Sequence, residues 1–132
     1  MDMSDDLILP SDQISVKTVL VVEDDEDIGA MIVVALSQET PYQAVLATDG
    51  LQALVMIGSF APRLFLLDYH LPGMDGIELY DHLHATRGLE SVPALMISAN
   101  VPMLEMQKRS IVYMKKPFDL GELLQTISKL LM

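Results

Sequence analysis

The chain has no cysteine among its 132 residues, and this absence excludes several kinds of chemistry. Disulfides, thiol nucleophiles and cysteine-ligated zinc sites all need a residue that is not present. Basic residues are also few, because eight Lys and Arg stand against nineteen Asp and Glu, a net charge of −11. Such a field repels DNA and anionic membrane surfaces, so we expect no direct binding to nucleic acid or membranes. Metal cations and basic protein faces are the favoured partners.

Long apolar runs are missing as well. The longest covers residues 30–36, whereas a helix that crosses a bilayer needs roughly 20 apolar residues. The first residues, MDMSDDLILPSDQ, are acidic, unlike the basic start of a secretory signal peptide. We therefore expect a cytoplasmic protein. We also expect an acidic, flexible tail over residues 1–16 and one domain over 17–132, with no output domain after it.

The rest of the chain alternates short apolar runs with helix-length amphipathic segments. The runs lack strict polar alternation, which is typical of strands buried on both faces of a parallel sheet. The alternation predicts an open, doubly wound α/β sheet with five strands and five helices. The predicted strands are 18–22, 43–47, 63–67, 94–97 and 111–114, and the predicted helices lie around 28–39, 51–58, 77–86, 101–109 and 120–131.

Two helices have clear apolar faces, and one is irregular. Ile28, Met31, Ile32, Ala35 and Leu36 share one face of the first helix. The last helix follows the i, i+3, i+4, i+7 rule from Leu120 to Leu131, and Asp119 is its predicted N-cap. The fourth helix carries Pro102 near its start, and we expect it to be short.

Charged and polar residues stand directly after four of the strands. Glu23 to Asp27 follow the first, Asp68 the third, Ser98 the fourth, and Lys116 the fifth. Each has an ordinary explanation as a helix cap or a solvated charge. In a sheet of order 2-1-3-4-5, however, these residues converge on one rim. Carboxylates so close together need a compensating cation, which Mg²⁺ or Mn²⁺ supplies.

Such a rim is suited to phosphoryl transfer. An aspartate can act as a nucleophile and form an aspartyl phosphate. A metal ion and a lysine then offset the charge on the transferring group. No dedicated general base is evident among the rim residues.

Five segments of the chain resemble the response-regulator receiver domains of the CheY-like family. The phosphoacceptor loop, Asp-x-x-x-Pro-Gly-Met-Asp-Gly, is specific when the other segments accompany it. The resemblance implies a flavodoxin-like (βα)5 fold with a sheet of order 2-1-3-4-5. The matching segments are VLVVEDDEDI (19–28), ATDGLQAL (47–54), LFLLDYHLPGMDGIEL (64–79), VPALMISAN (92–100) and YMKKPF (113–118).

The resemblance also implies a role for each matching residue. Asp68 corresponds to the phosphorylated aspartate, Lys116 to the catalytic lysine and Ser98 to the hydroxyl that binds the phosphoryl group. Ser98 and Tyr113 correspond to the switch pair, and Lys116–Pro117 to a cis peptide. The implied metal ligands are Glu23, Asp24, Asp68 and the backbone carbonyl of His70.

The family's partners follow from the same resemblance. A histidine kinase or a histidine phosphotransfer protein would supply the phosphoryl group. A downstream protein target would bind according to the state of the switch. We expect Val33 and Val34 on the first helix to contribute to docking of the phosphoryl donor. The chain would not be an enzyme, apart from catalysing its own phosphorylation and dephosphorylation.

One segment departs from the family pattern. Lys116 stands eighteen positions after Ser98, about one helical turn fewer than is usual in the family, so the fourth helix is expected to be truncated. This leaves open a phosphorylation-independent binding module of the same fold. A Mg²⁺-dependent phosphatase would want a carboxylate where His70 stands, and a flavin site would not carry five acids after the first strand.

The chain has three histidines. His82 and His84 lie two apart on the third helix, so they do not share a face and cannot bind a metal together. We expect both to be solvated. We expect the His70 side chain to affect the access of water to the phosphorylated Asp68.

Overall fold

The computed structural model describes residues 16–132, so the predicted tail lies outside the described residues except for Val16. Five strands alternate with five helices, as predicted. The strands are β1 (Thr18–Val22), β2 (Gln43–Ala47), β3 (Leu64–Asp68), β4 (Ala94–Ser98) and β5 (Val112–Lys115). The helices are α1 (Glu26–Glu39), α2 (Gly50–Met56), α3 (Gly76–His84), α4 (Met103–Arg109) and α5 (Leu120–Leu130).

All five strands are parallel and form one sheet of order β2-β1-β3-β4-β5. This is the predicted order. The register pairs Val22 with Leu67, and Asp68 with Ile97, so the carboxyl ends of the central strands lie side by side. Whatever follows these strands is therefore brought to one edge of the sheet.

The sheet is covered on both faces. Alternate side chains of the strands point to opposite sides and form two buried clusters. The first cluster contains Leu20, Phe65 and Met96 and packs against α2, α3 and α4. The second contains Val21 and Leu66 and packs against α1 and α5. This two-sided burial explains why the strands are continuous apolar runs.

Four helices begin at an aspartate whose side chain accepts hydrogen bonds from the first turn. These N-caps are Asp25, Asp49, Asp75 and Asp119, the last as predicted. These aspartates follow the strands directly or stand in the loops after them. Some of the acidic residues at this edge of the sheet therefore cap helices and are not needed to bind a ligand.

Helix α4 differs from the other four. Like α2 it has seven residues, but it begins after Pro102 without a side-chain cap, and its C-cap residue, Ser110, is in the left-handed conformation (φ 55°). The expected short fourth helix is therefore present, and it starts two residues later than predicted.

The buried face of α1 differs from the prediction at Met31, which is exposed. Gly29 packs against the Leu46 side chain, where a Cβ would come within 2.6 Å of a Leu46 methyl. The buried stripe therefore runs through Gly29, Ile32 and Leu36, which leaves Met31 at its margin. Among residues 16–132, no helix is both long and apolar enough to span a bilayer.

Candidate functional site

The carboxyl edge of the sheet holds a compact acidic cluster. Glu23 and Asp24 directly follow β1, and Asp68 is the last residue of β3. One carboxylate oxygen from each lies within 4.8 Å of the others. Asp68 is 3% exposed and Glu23 is 1% exposed, whereas Asp24 is open to solvent. The structure thus places together the three acids that the sequence grouped.

Lys116 joins this cluster from the end of β5. Its ammonium Nζ lies 2.9 Å from Oδ2 of Asp68 and 3.1 Å from Oε1 of Glu23. Burial by itself would lower the pKa of Lys116, but the hydrogen bonds to the two carboxylates outweigh burial and raise it. The lysine therefore stays protonated and holds a positive charge beside Asp68. The peptide Lys116–Pro117 is cis, as the resemblance implied.

Glu23 is the most perturbed acid of the cluster. Burial raises its pKa to about 7, against the opposing effect of a hydrogen bond from the Asp25 amide. The nearby Asp68 also raises the pKa of Glu23, and Lys116 lowers it. The Lys116 ammonium thus pairs with the two buried carboxylates, Glu23 and Asp68, while Asp24 adds a third carboxylate to the cluster.

The donor set fits a hard divalent cation. Mg²⁺ prefers oxygen ligands and is commonly bound by one or two carboxylates together with substrate phosphate oxygens and water. Glu23, Asp24 and Asp68 supply such oxygens at an edge that solvent reaches through Asp24. The His70 amide donates to Oδ1 of Asp68 at 3.1 Å. That its carbonyl also binds the metal stays a prediction.

The two predicted switch residues lie on one face of the sheet. Ser98 ends β4, and Tyr113 pairs in register with Met96, two residues before Ser98. The buried Ser98 hydroxyl donates to the Asn100 carbonyl at 3.0 Å and accepts from the Asn100 amide at 3.2 Å. Tyr113 has an exposed side chain. In this arrangement the hydroxyl is bound to its own loop rather than to Asp68 or Lys116.

Comparison with known proteins gives the family. The family model described as the response regulator receiver domain matches residues 19–128. The chain belongs to this family. It is a receiver domain of two-component signal transduction, and receiver domains typically bind Mg²⁺ and interact with histidine kinases or phosphotransfer proteins.

Relatives of different lengths share this receiver domain. The sporulation initiation phosphotransferase F of Bacillus subtilis is 31% identical over 117 residues, which cover 86% of this chain and 92% of that protein. The DNA-binding response regulator MtrA of Mycobacterium tuberculosis is 35% identical over 113 residues, 83% of this chain and 48% of that protein. The chain thus spans about half the length of the MtrA relatives.

The fold agrees with solved receiver structures. A CheY-like receiver domain protein from Methanospirillum hungatei superposes with a TM-score of 0.81 and 26% identity, over 89% of this chain and 94% of that one. The doubly wound fold predicted from the sequence is therefore confirmed.

The prediction that His82 and His84 are both solvated is wrong for His84 in this receiver domain. The His84 ring nitrogens lie 2.9 Å from the Tyr80 carbonyl and 2.6 Å from the Val92 carbonyl. The ring also stacks on Tyr80 at 3.9 Å and meets the edge of Phe65 at 5.6 Å. His84 therefore connects α3 to the loop before β4. The i, i+4 spacing from Tyr80 was the available signal, but the contact with Val92 depends on the fold.

Arg109 was not singled out from the sequence, yet it attaches α4 to α3. Its guanidinium contacts both carboxylate oxygens of Asp81 at 2.8 Å and Oε1 of Glu105 at 2.7 Å. The i, i+4 spacing of Glu105 and Arg109 is visible in the sequence. The ion pair of Arg109 with Asp81 joins residues 28 positions apart and cannot be recognised from the sequence. The Arg109 hydrogen bonds hold the pKa of Asp81 below its usual range.

Proposed function

We propose that this receiver domain accepts a phosphoryl group on Asp68 from a phosphohistidine of a kinase or phosphotransfer protein. The observation that supports this most directly is the position of Asp68, nearly buried at the end of a central strand between Glu23, Asp24 and the Lys116 ammonium. A carboxylate that lies beside metal ligands and a fixed positive charge is suited to act as the nucleophile in phosphoryl transfer.

The step conserves atoms and charge. An Asp68 carboxylate oxygen forms a bond to phosphorus while the phosphorus–nitrogen bond to the donor imidazole breaks, and the imidazole keeps that electron pair and takes up a proton. Glu23, Asp24 and Asp68 would hold the Mg²⁺, which would offset the negative charge on the phosphoryl oxygens. Lys116, in contact with Asp68 and Glu23, supplies a second positive charge.

Ser98 and Tyr113 would convert this modification into a conformational change. The Ser98 hydroxyl is bound to Asn100, so it must exchange those hydrogen bonds for one to the phosphoryl group. Tyr113 would then move from its exposed position toward the space beside Ser98. A modification shifts such an equilibrium only through contacts that differ between the two states.

The phosphoryl donor would dock beside α1. A groove of about 570 Å³ runs between α1 and α5 and is lined by Met31, Val34 and Leu124. Val34 is half-exposed there, but Val33 packs against the second core cluster. We therefore assign the docking contribution to Val34 and Met31, and we expect Val33→Asp to affect folding as well.

The downstream target would be a protein that contacts the α4–β5 side, where Met103, Leu104, Val112 and Tyr113 are exposed. Beyond its own phosphorylation and dephosphorylation, we propose no catalysis, and we propose no direct contact with nucleic acid or membrane. A cytoplasmic location stays an expectation from the sequence.

One observation favours the alternative, a binding module that works without phosphorylation. The short α4 is attached to α3 through Arg109 and Asp81, and a helix held in this way would transmit less of a change at Ser98. The two functions differ in whether phosphorylation alters partner affinity.

The acceptor chemistry is tested by intact mass after incubation with Mg²⁺ and acetyl phosphate. We expect one phosphoryl adduct that is absent in Asp68→Asn, absent with EDTA and reduced in Asp24→Asn. Asp27→Asn is the matched control, because Asp27 lies in the same acidic run but outside the cluster. A folded protein that binds Mg²⁺ yet forms no adduct would contradict the proposal and favour the binding module.

A further inference from the structure

Helix α2 carries an apolar surface that the proposed function does not use. Leu51 is 70% exposed and Val55 is 77% exposed. They lie four residues apart and so share one face of the helix. Ala53 and Leu54 of the same helix join the core cluster, whereas Leu51 and Val55 are exposed to solvent. Single exposed apolar residues are ordinary on protein surfaces, but a contiguous patch marks a site of interaction.

The loop after β3 extends this surface. Leu51 lines a cavity of about 350 Å³ together with Asp49, Pro72, Gly73 and Met74. Met74 reaches this place because Gly50 has no side chain, and a Cβ there would lie 3.0 Å from the Met74 sulfur. We call Leu51, Val55, Pro72 and Met74 the α2 patch. It lies on the face of the sheet opposite the α1–α5 groove.

The charged side chains beside the cavity of the α2 patch are acidic. Residues 18–86 contain eleven acidic residues and one basic residue, Arg63. The next cation, Arg87, lines a different cavity with residues 57–61, beyond the C-terminal end of α2. Arg63 precedes β3, at the end of the sheet away from the loop that carries Met74. Asp49 lines the cavity, and Asp75 and Glu78 cap the start of α3 beside it. The electrostatic complement of this surface is an apolar stripe flanked by Lys and Arg.

We propose that the α2 patch is a docking site for a basic amphipathic helix of a partner protein. The apolar stripe of the helix would cover Leu51 and Val55 and place a side chain in the cavity beside Met74, while its cations would face Asp49, Asp75 and Glu78. Apolar anchors spaced by one helical turn are the usual way in which such a helix occupies a groove. A second copy of this chain would fit poorly, because it would bring acidic residues against acidic residues. The interaction does not require phosphorylation of Asp68.

The test uses two synthetic amphipathic peptides of about 14 residues with the same leucine spacing. One carries lysine on its polar face and the other glutamate, and each is titrated into the ¹⁵N-labelled full chain. We expect the basic peptide to shift the amides of α2 and of residues 71–75, and to bind at least about tenfold more tightly than the acidic one.

Variants then separate the α2 patch from other surfaces. Leu51→Ser with Val55→Ser should weaken the basic peptide about tenfold or more. The matched pair Met31→Ser with Val34→Ser removes two exposed apolar residues from α1 and should leave the affinity unchanged. Because all four side chains are at least two-fifths exposed, both double variants should keep the wild-type thermal midpoint, which is checked first.

The proposal is overturned if the shifts fall on α1 or on α4 and β5 instead, if the acidic peptide binds equally well, or if neither peptide binds. It is also overturned if sedimentation shows self-association of the wild type that Leu51→Ser with Val55→Ser abolishes, because the occupant is then a second copy.

Discussion

Gly76 positions β3, the strand that ends at Asp68, against the next helix. Its amide donates to the Tyr69 carbonyl at 2.8 Å. A Cβ at this residue would lie 2.7 Å from both the Asp68 carbonyl oxygen and the Met96 sulfur, and 2.9 Å from the Tyr69 Cα. Two of these three neighbours are backbone atoms of Asp68 and Tyr69, so they cannot move without moving Asp68.

Gly76→Ala should therefore reduce the free energy of unfolding by about 1–3 kcal/mol, the usual cost of overpacking. Urea denaturation measures this loss. Gly121→Ala is the control, because its Cβ would meet no backbone atom and only one side-chain oxygen, Oδ1 of Asp119, at 3.1 Å. Equal free energies of unfolding for Gly76→Ala and wild type would show that the atoms around Gly76 can move to accept a Cβ without loss of stability.

His84 is a second residue whose contacts determine its role. His84→Ala should destabilise the protein by about 1–2 kcal/mol, because the Val92 carbonyl loses its ring partner and the stacking on Tyr80 is lost. His82→Ala is the matched control on the same helix, since its side chain is exposed. The midpoints of thermal unfolding of the two variants are compared. Similar midpoints would contradict the role of His84 in connecting α3 to the loop before β4.

Among the elements, α4 depends most on a single side chain. It has seven residues, no side-chain N-cap and one buried hydrophobic residue, Met106. A helix of this length is not stable by itself. The Arg109 hydrogen bonds to Asp81 and Glu105 attach it to α3 from its last turn.

Arg109→Gln should thus increase hydrogen exchange of the α4 amides by about two- to fivefold, the range expected for a partly exposed ion pair. Lys108→Gln is the control, because its 3.4 Å pair with Glu105 is well exposed. Unchanged exchange in Arg109→Gln would mean that packing of Met106 alone holds the helix.

The same pair predicts a pH dependence. Arg109 lowers the pKa of Asp81 in the folded protein, so the folded state releases the proton more readily than the unfolded state does. The stabilisation is fully present above the ordinary aspartate pKa of about 4 and is lost as the pH falls through the lowered value. Asp81→Asn should therefore be less stable than wild type at pH 7, and the difference should shrink below about pH 4.

At the scale of the whole molecule, negative charge is the dominant feature. The net charge is −11, and the acids concentrate in the part of the chain before residue 87. Self-repulsion of this kind destabilises a compact state and is screened by salt. A cation that binds the folded state adds a further, saturable stabilisation.

The thermal midpoint should accordingly rise with NaCl, and it should rise further with MgCl₂ at the same ionic strength. The additional Mg²⁺ effect should be largely lost in Asp24→Asn and kept in Asp27→Asn, because Asp24 belongs to the acidic cluster and Asp27 does not. Equal midpoints in the two salts would argue against a specific cation site.

The sequence by itself determined the order of the elements, the doubly wound sheet and the group of acids at its carboxyl edge. These features are encoded locally, because buried parallel strands are short apolar runs and the residue after each strand is read directly from the chain. The parallel arrangement then brings those residues together whatever their separation in sequence.

Tertiary structure alone decided the contacts between distant side chains. The Ser98 hydroxyl orientation, the Arg109 pair with Asp81 and the contact of His84 with Val92 depend on how helices and loops pack. The exposure of Met31 follows in the same way from Gly29 against Leu46. Periodicity specifies which face of a helix is apolar, but the close approach of a neighbouring element sets where the buried stripe is centred.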